Sequence, residues 1–160
     1  KHVTSQNQVT VLLPRVDMGK EGDNVKTIIS MPVARARRGA HILFYENYFK
    51  LVFRNNFLFN EDICINMSNC ARVTNSFLAG DTDEGNWSPL LTFLIDEDFP
   101  SLCLKMKENK IKFIWGVRYW NTAGVKILDP SGNIIMLNCI DDTDKNGSSL
   151  DDLDFLKKMP

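Results

Sequence analysis

The chain has 160 residues, 44% hydrophobic and 24% charged, so it can bury roughly 70% of the surface that its unfolded form exposes and needs neither disulfide staples nor a structural metal to be stable. Nineteen Lys plus Arg against twenty Asp plus Glu leave a net charge of -1, which argues against a protein that coats phosphate backbones, and no nucleic-acid partner is expected. Apolar stretches such as Val11-Leu12-Leu13 and Leu90-Leu91-Thr92-Phe93-Leu94-Ile95 fall far short of the roughly 20 residues that span a bilayer, so no membrane partner is expected.

Residues 1–24 are polar apart from the alternating Val9, Val11 and Leu13, and they end in the turn-rich Met18-Gly19-Lys20-Glu21-Gly22-Asp23. They read as an N-terminal extension holding one added strand and a loop. A first module follows at about 25–79. It has a strand over 25–33, a helix over 36–48, and strands over 50–54, 63–67 and 72–78. The polar stretch 80–88, with three acids and two Gly, closes it.

A second module covers about 88–140. The run Leu90 to Ile95 has strand length, and Asp96, Asp98 and Pro100 mark a helix start with acids at the positive end of the helix dipole. Phe99, Leu102, Cys103 and Met106 keep helical spacing while Lys105, Lys107 and Glu108 face out, giving an amphipathic helix that ends near Asn109. Three strands follow, over 111–115, 124–128 and 133–137, the last two joined by Asp129-Pro130-Ser131-Gly132. Both modules read βαβββ, and their strand-helix-strand spans match closely in length. An internal duplication is therefore expected. Residues 141–160 form an acidic segment, with six Asp and one Lys in 141–154. Such a composition predicts a mobile tail, with a docked turn at most over 150–156, whose removal costs little stability.

Chemistry-bearing residues are sparse. Cys64, Cys70, Cys103 and Cys139 show no CxxC spacing, and His2 and His41 are the only histidines, so zinc signatures are absent and four free thiols are expected. Free thiols and the lack of a secretory leader in this sequence point to a cytoplasmic or organelle-matrix location. Asn66, Asn86 and Asn146 begin N-x-S triplets that read as chance. Arg35, Arg37, Arg38 and His41 at a helix start read as a solvated face, the sharper alternative being a phosphate contact. Trp115 ends a strand, while Tyr119 and Trp120 sit in a polar connection, where aromatic rings cover either a core edge or a ligand.

Taken in order, the helix His41-Ile42-Leu43-Phe44-Tyr45-Glu46-Asn47-Tyr48-Phe49, the entry Leu90 to Asp98 and above all the hairpin Gly124-Val125-Lys126-Ile127-Leu128-Asp129-Pro130-Ser131-Gly132-Asn133-Ile134-Ile135-Met136-Leu137 resemble the vicinal oxygen chelate superfamily. That superfamily includes glyoxalase I, bleomycin-resistance proteins and extradiol dioxygenases. The resemblance implies an α+β fold of two βαβββ modules forming a curled mixed sheet with helices on the convex side, paired within one chain or across a homodimer, and a ligand on the concave side. In the metalloenzymes of the superfamily, His, Gln or Glu from the first strand of each module and a Glu from the last strand hold a divalent metal. Here the Glu position falls on Met136 and the second-module His position on Leu90 or Leu91, while the first-module strand offers only Lys26, Thr27 and Ser30. Thioether and aliphatic side chains do not hold a hard cation, so no metal cofactor is expected.

The leading reading is accordingly a metal-independent, bleomycin-resistance-like binder of an apolar or aromatic small molecule. Its ligand contacts are Met136, Trp120, Leu90, Leu91 and Trp115, with no catalytic residue assigned. The enzyme alternative is a lyase or dioxygenase whose metal ligands sit elsewhere. The third reading is an interaction module that recruits a protein partner through the N-terminal extension or the acidic tail.

Overall fold

The computed structural model describes residues 2–5, 8–12, 25–70, 88–120, 122–139 and 145–159. The chain divides into two compact units, Lys1–Val73 and Thr74–Pro160.

In the first unit β1 (His2–Ser5), β2 (Gln8–Leu12), β3 (Val25–Ala34), a 3-10 turn (Arg35–Arg37), α1 (Arg38–Phe49), β4 (Val52–Arg54), β5 (Phe57–Phe59) and β6 (Cys64–Cys70) follow in order. The strands lie as β1-β2-β3-β6-β5-β4. Among the described strands of this unit only β3 and β6 run parallel, and parallel neighbours need a long crossover, a requirement met by α1 and the β4–β5 pair. Met31, Val33, Leu58, Ile65 and Met67 are buried on one face of the sheet, and Phe44 and Tyr45 are buried on α1. Arg38 fixes which face that is. Its guanidinium donates to Asn56 Oδ1 at 2.7 Å and to Asn69 Oδ1 at 3.4 Å, and lies 5.6 Å from the centroid of the Phe53 ring.

Two sequence expectations change here. The extension carries two strands rather than one, because β1 pairs antiparallel with β2 and β2 with β3. The strand expected over 63–67 is the fourth of its module, not the third, because β5 precedes it; the strand expected over 72–78 lies outside the described residues. The reason is a two-residue reversal at Asn55 (φ 51°) and Asn56 (φ 69°), which turns Arg54 straight back onto Phe57. Both residues take left-handed backbone, as the tight hairpin turn matching strand twist demands, and Asn tolerates it.

The second unit runs β7 (Leu91–Ile95), α2 (Phe99–Glu108), β8 (Phe113–Tyr119), β9 (Thr122–Leu128), β10 (Ile134–Cys139), a 3-10 turn (Leu150–Asp152) and β11 (Lys157–Met159). Its strand order is β11-β8-β9-β10-β7. Without β1, β2 and β11, both sheets read first-fourth-third-second strand of a βαβββ unit, so the repeated element order is also a repeated topology. Phe99, Cys103 and Met106 of α2 are fully buried, as are Ile135 and Leu137 on β10 and Val125 and Ile127 on β9. Cys103 and Cys139 lie close enough to couple: burial first, and the neighbouring Cys139 second, push the Cys103 thiol well above its ordinary range. The described cysteines Cys64, Cys103 and Cys139 are buried and unbridged. Among the described residues no helix is long and apolar enough to cross a membrane.

Residues 145–159, expected as a mobile tail with a docked turn at most over 150–156, are folded onto this unit. Leu150 (1% exposed), Leu153 (3%) and Leu156 (9%) are buried between the acids, which is the signal an average over composition hides. Ser149 and Asp152 form a reciprocal capping box at the 3-10 turn, and β11 pairs parallel with β8. Phe155 stacks on Phe113 with centroids 4.6 Å apart, and Leu156 Cδ2 would lie 2.7 Å from a Cβ on Gly116, so the segment seats where β8 has no side chain. The acids are matched individually: Asp151 with Arg118 and Lys158, and Asp154 with Lys107. α2 begins at Phe99, directly after Asp98, where the acids and Pro100 mark its start. Asp98 makes no side-chain cap to α2; its carboxylate instead accepts from the Lys145 backbone N–H at 2.7 Å, and Glu97 pairs with the Lys145 ammonium.

Truncation after residue 144 is therefore expected to lower the melting temperature by several degrees, and Leu150→Ala alone to cost about 2–5 kcal/mol in chemical denaturation, the usual range for a fully buried Leu. A truncated chain melting within a degree of the full one would contradict this packing. A second expectation concerns pH. The Arg118 and Lys158 cations hold the Asp151 carboxyl below its ordinary 3.8, and Lys107 does the same to Asp154. A depressed carboxyl stabilises the folded form above the ordinary pKa and loses that contribution as pH falls through the folded value. Amide protection over β11, corrected for the intrinsic exchange rate at each pH, should hold steady from pH 8 to 5 and fall below about 4, and Asp151→Asn should flatten the acid limb.

Candidate functional site

The register of β10 decides which residues form a surface. Asp129, itself 5% exposed, organises the preceding turn: its Oδ1 accepts from the Ser131 and Asn133 N–H groups, both at 2.9 Å, and its Oδ2 accepts from Asn133 Nδ2 at 2.9 Å. Gly132 takes φ 85°, a left-handed backbone that glycine adopts without strain. The turn locks Ile134 opposite Leu128, hence Met136 opposite Lys126 and Asn138 opposite Gly124. Alternation then sends Ile135, Leu137 and Cys139 to the helix side, where they are buried, and Met136 and Asn138 to the other side.

On that side three side chains converge over Gly124. A Cβ built there would meet Met136 Cε, Asn138 Oδ1 and Trp115 Cζ3, each at 3.2 Å. The missing side chain makes the floor on which the thioether, the carboxamide and the indole rest. Trp115 pairs with Lys126 across β8 and β9, and the Lys126 ammonium stands 5.2 Å from the Trp115 ring centroid, a cation–π contact. On the β7 flank, Thr92 lies opposite Met136 and Leu94 opposite Asn138, and Leu94 is 53% exposed. The face is apolar and aromatic with a few polar groups.

Among the expected contacts, Met136 and Trp115 meet in this cluster. Leu90 stands one residue before β7, its N–H donating to the Ile134 carbonyl at 2.8 Å, and alternation puts its side chain on the same face as Thr92. Leu91 does not belong there. It pairs with Ile135 and is 6% exposed on the helix side, because adjacent strand residues cannot share a face. Trp120 is 71% exposed at φ 51° in the β8–β9 reversal, its ring 4.7 Å from that of Tyr119. It lies at the end of the sheet, in the turn one residue beyond the Tyr119–Thr122 pair. Sequence reasoning missed Lys126, although the alternation of Gly-Val-Lys-Ile-Leu marks it as facing away from Val125 and Ile127.

The basic cluster of the first unit does not assemble into an anion site. Arg35 and Arg37 are exposed, Arg38 is committed to Asn56 and Phe53, and His41 is fully buried with its ring 4.9 Å from that of Tyr45. Among the described residues no group of three His, Cys, Asp or Glu side chains is placed to hold a metal ion. The donor set around Met136 consists of a thioether, a carboxamide, hydroxyl and indole groups and an ammonium, which does not fit the divalent cation of the superfamily's enzymes.

No family model matches the sequence, and no curated protein matches it. Solved structures do match the fold. A glyoxalase/dioxygenase from Nostoc punctiforme aligns with a TM-score of 0.55 at 16% identity, over 70% of this chain and 88% of that one. The fosfomycin resistance protein FosX from Mesorhizobium loti aligns at 0.49 and 14% identity, over 79% and 92%. TnmS3, an antibiotic binding protein from Streptomyces sp. CB03234, aligns at 0.45 and 16%, over 70% and 92%. At these identities the likeness is one of fold.

Proposed function

We propose that this chain, which has the vicinal oxygen chelate fold, is a metal-independent binder of an apolar or aromatic small molecule, held on the face of the second unit's sheet turned away from α2. The observation that carries the reading is the cluster over Gly124. Met136 occupies the position where the resemblance calls for a metal-binding carboxylate, and it is packed with Trp115 and Asn138 around a residue kept free of a side chain. A thioether beside an indole offers a polarisable surface that adapts to a flat ligand, with Asn138 and Thr92 as orienting polar groups. The first module's strand offers only Lys26, Thr27 and Ser30 where the resemblance calls for imidazole or carboxylate. The fold alone leaves function open, and the proposal rests on these side chains.

Two measurements test it. Screening flat hydrophobic compounds by Trp fluorescence should yield ligands whose affinity falls on Met136→Glu by on the order of a few kcal/mol, because the new carboxylate is desolvated without a partner. A compound that binds wild type and variant equally does not sit on Met136. Elemental analysis after dialysis should find no stoichiometric Zn, Ni, Fe or Mn, and a full equivalent of any of these would overturn metal independence.

A further inference from the structure

We infer that Met136 is an oxidation switch on the proposed ligand face: a peroxide converts its thioether to the sulfoxide, and the apolar ligand is released while the fold stays intact. This rests on the reading of the Met136 face as a ligand site and adds how that site is regulated.

Burial sorts the methionines. Met31 on β3, Met67 on β6 and Met106 on α2 are fully buried in close-packed cores, where an oxidant has no access and an added oxygen no room. Met136 is only half-buried, because alternation along β10 turns it away from the buried Ile135 and Leu137 to the side opposite α2. Among the methionine side chains described, it is the one within reach of solvent. Its methyl group lies over Gly124, beside Asn138 Oδ1 and Trp115 Cζ3. The thioether thus sits at the surface of the cluster that the ligand is proposed to cover.

The reaction needs a peroxide and nothing else. One peroxide oxygen is transferred to Met136 Sδ: the O–O bond breaks, an S–O bond forms, the sulfur gives up an electron pair, and hydrogen peroxide leaves as water with both its protons. A flexible apolar side chain becomes a polar, chiral one whose oxygen is a hydrogen-bond acceptor. An apolar ligand lying on Trp115 and Met136 then loses the polarisable sulfur and has to desolvate the new S–O dipole, so its affinity falls. The core is not involved, since Ile135, Leu137 and Cys139 fill the helix side of the same strand. Reduction of the sulfoxide restores the thioether, which makes the change reversible.

The test treats the full chain with hydrogen peroxide under native conditions, removes the excess with catalase, and reads oxygen uptake, melting and binding. Peptide mass mapping is expected to show an added oxygen on Met136 before any on Met31, Met67 or Met106, with the melting temperature kept within about two degrees of the untreated chain. The affinity for 2-naphthylmethanol, a flat neutral probe, should fall about tenfold and return when methionine sulfoxide reductases for both epimers act with a thiol reductant. Met136→Leu conserves volume and removes the sulfur; whatever its own affinity, it should not respond to peroxide. Oxidation of Met136 no earlier than the three buried methionines overturns the inference. Oxidised Met136 with unchanged affinity overturns the switch and leaves the small-molecule reading standing, and a peroxide response that persists in Met136→Leu does the same. Failure of the naphthyl probe to bind the untreated chain counts against the small-molecule reading itself and removes this inference with it.

Discussion

The second unit depends on the register of one strand. β10 is held between an antiparallel neighbour, β9, and a parallel one, β7, and the buried Asp129 carboxylate ties the turn through which it enters. A slip of one residue would carry Ile135, Leu137 and Cys139 out of the core and turn Met136 inward. Turn chemistry and core packing specify the same register, so the face that carries Met136 and Asn138 follows from the same constraint that forms the core.

Two glycines show how both faces of a thin sheet are put to use. Gly116 on β8 leaves room on the helix side, and Leu156 and Phe155 lie against it. Gly124 on β9 leaves room on the other side, where Trp115, Met136 and Asn138 meet. Glycine in a strand interior weakens the strand and marks a close approach by something else. In the first case the approaching group belongs to the chain itself and completes the fold. In the second the space is shared among side chains of three different types.

Much of this was legible in the sequence, and the reasons are specific. The 3.6 spacing of Phe99, Cys103 and Met106, the length of the Leu91 to Ile95 run and the Asp129 turn each fix a local element, and their order carried the fold. Alternation in the last strand set Met136 on the face opposite Ile135 and Leu137, which is the register observed. What could not be read were features decided by pairing. The short strand β5 was hidden because an Asn-Asn reversal is a weaker signal than Asn-Gly, and the acidic composition of the tail, which left a docked turn over 150–156 in view, hid the strand β11 that follows it because pairing with β8 leaves no mark in a three-residue run. Leu90 and Leu91 are chemically equivalent in the sequence, and only the hydrogen-bond register separates a residue of the face from a residue of the core. The contact of Lys126 with the Trp115 ring could not be read either, because it is made between strands.

The docking of β11 on β8 has a consequence for how the chain acquires its structure. β8 reads Phe113-Ile114-Trp115-Gly116-Val117-Arg118-Tyr119, an aromatic and β-branched segment of the type that recruits other strands when its edge is bare. Its cover comes from residues 157–159, about forty positions further along, and a contact of that separation closes late because the intervening loop must first be ordered. During synthesis and refolding the edge of β8 is thus exposed for longer than any other edge of this sheet that the chain itself closes. The segment that covers it brings Lys157 and Lys158, two charges on three paired residues, which end the sheet in a strand that a further copy would join only with repulsion.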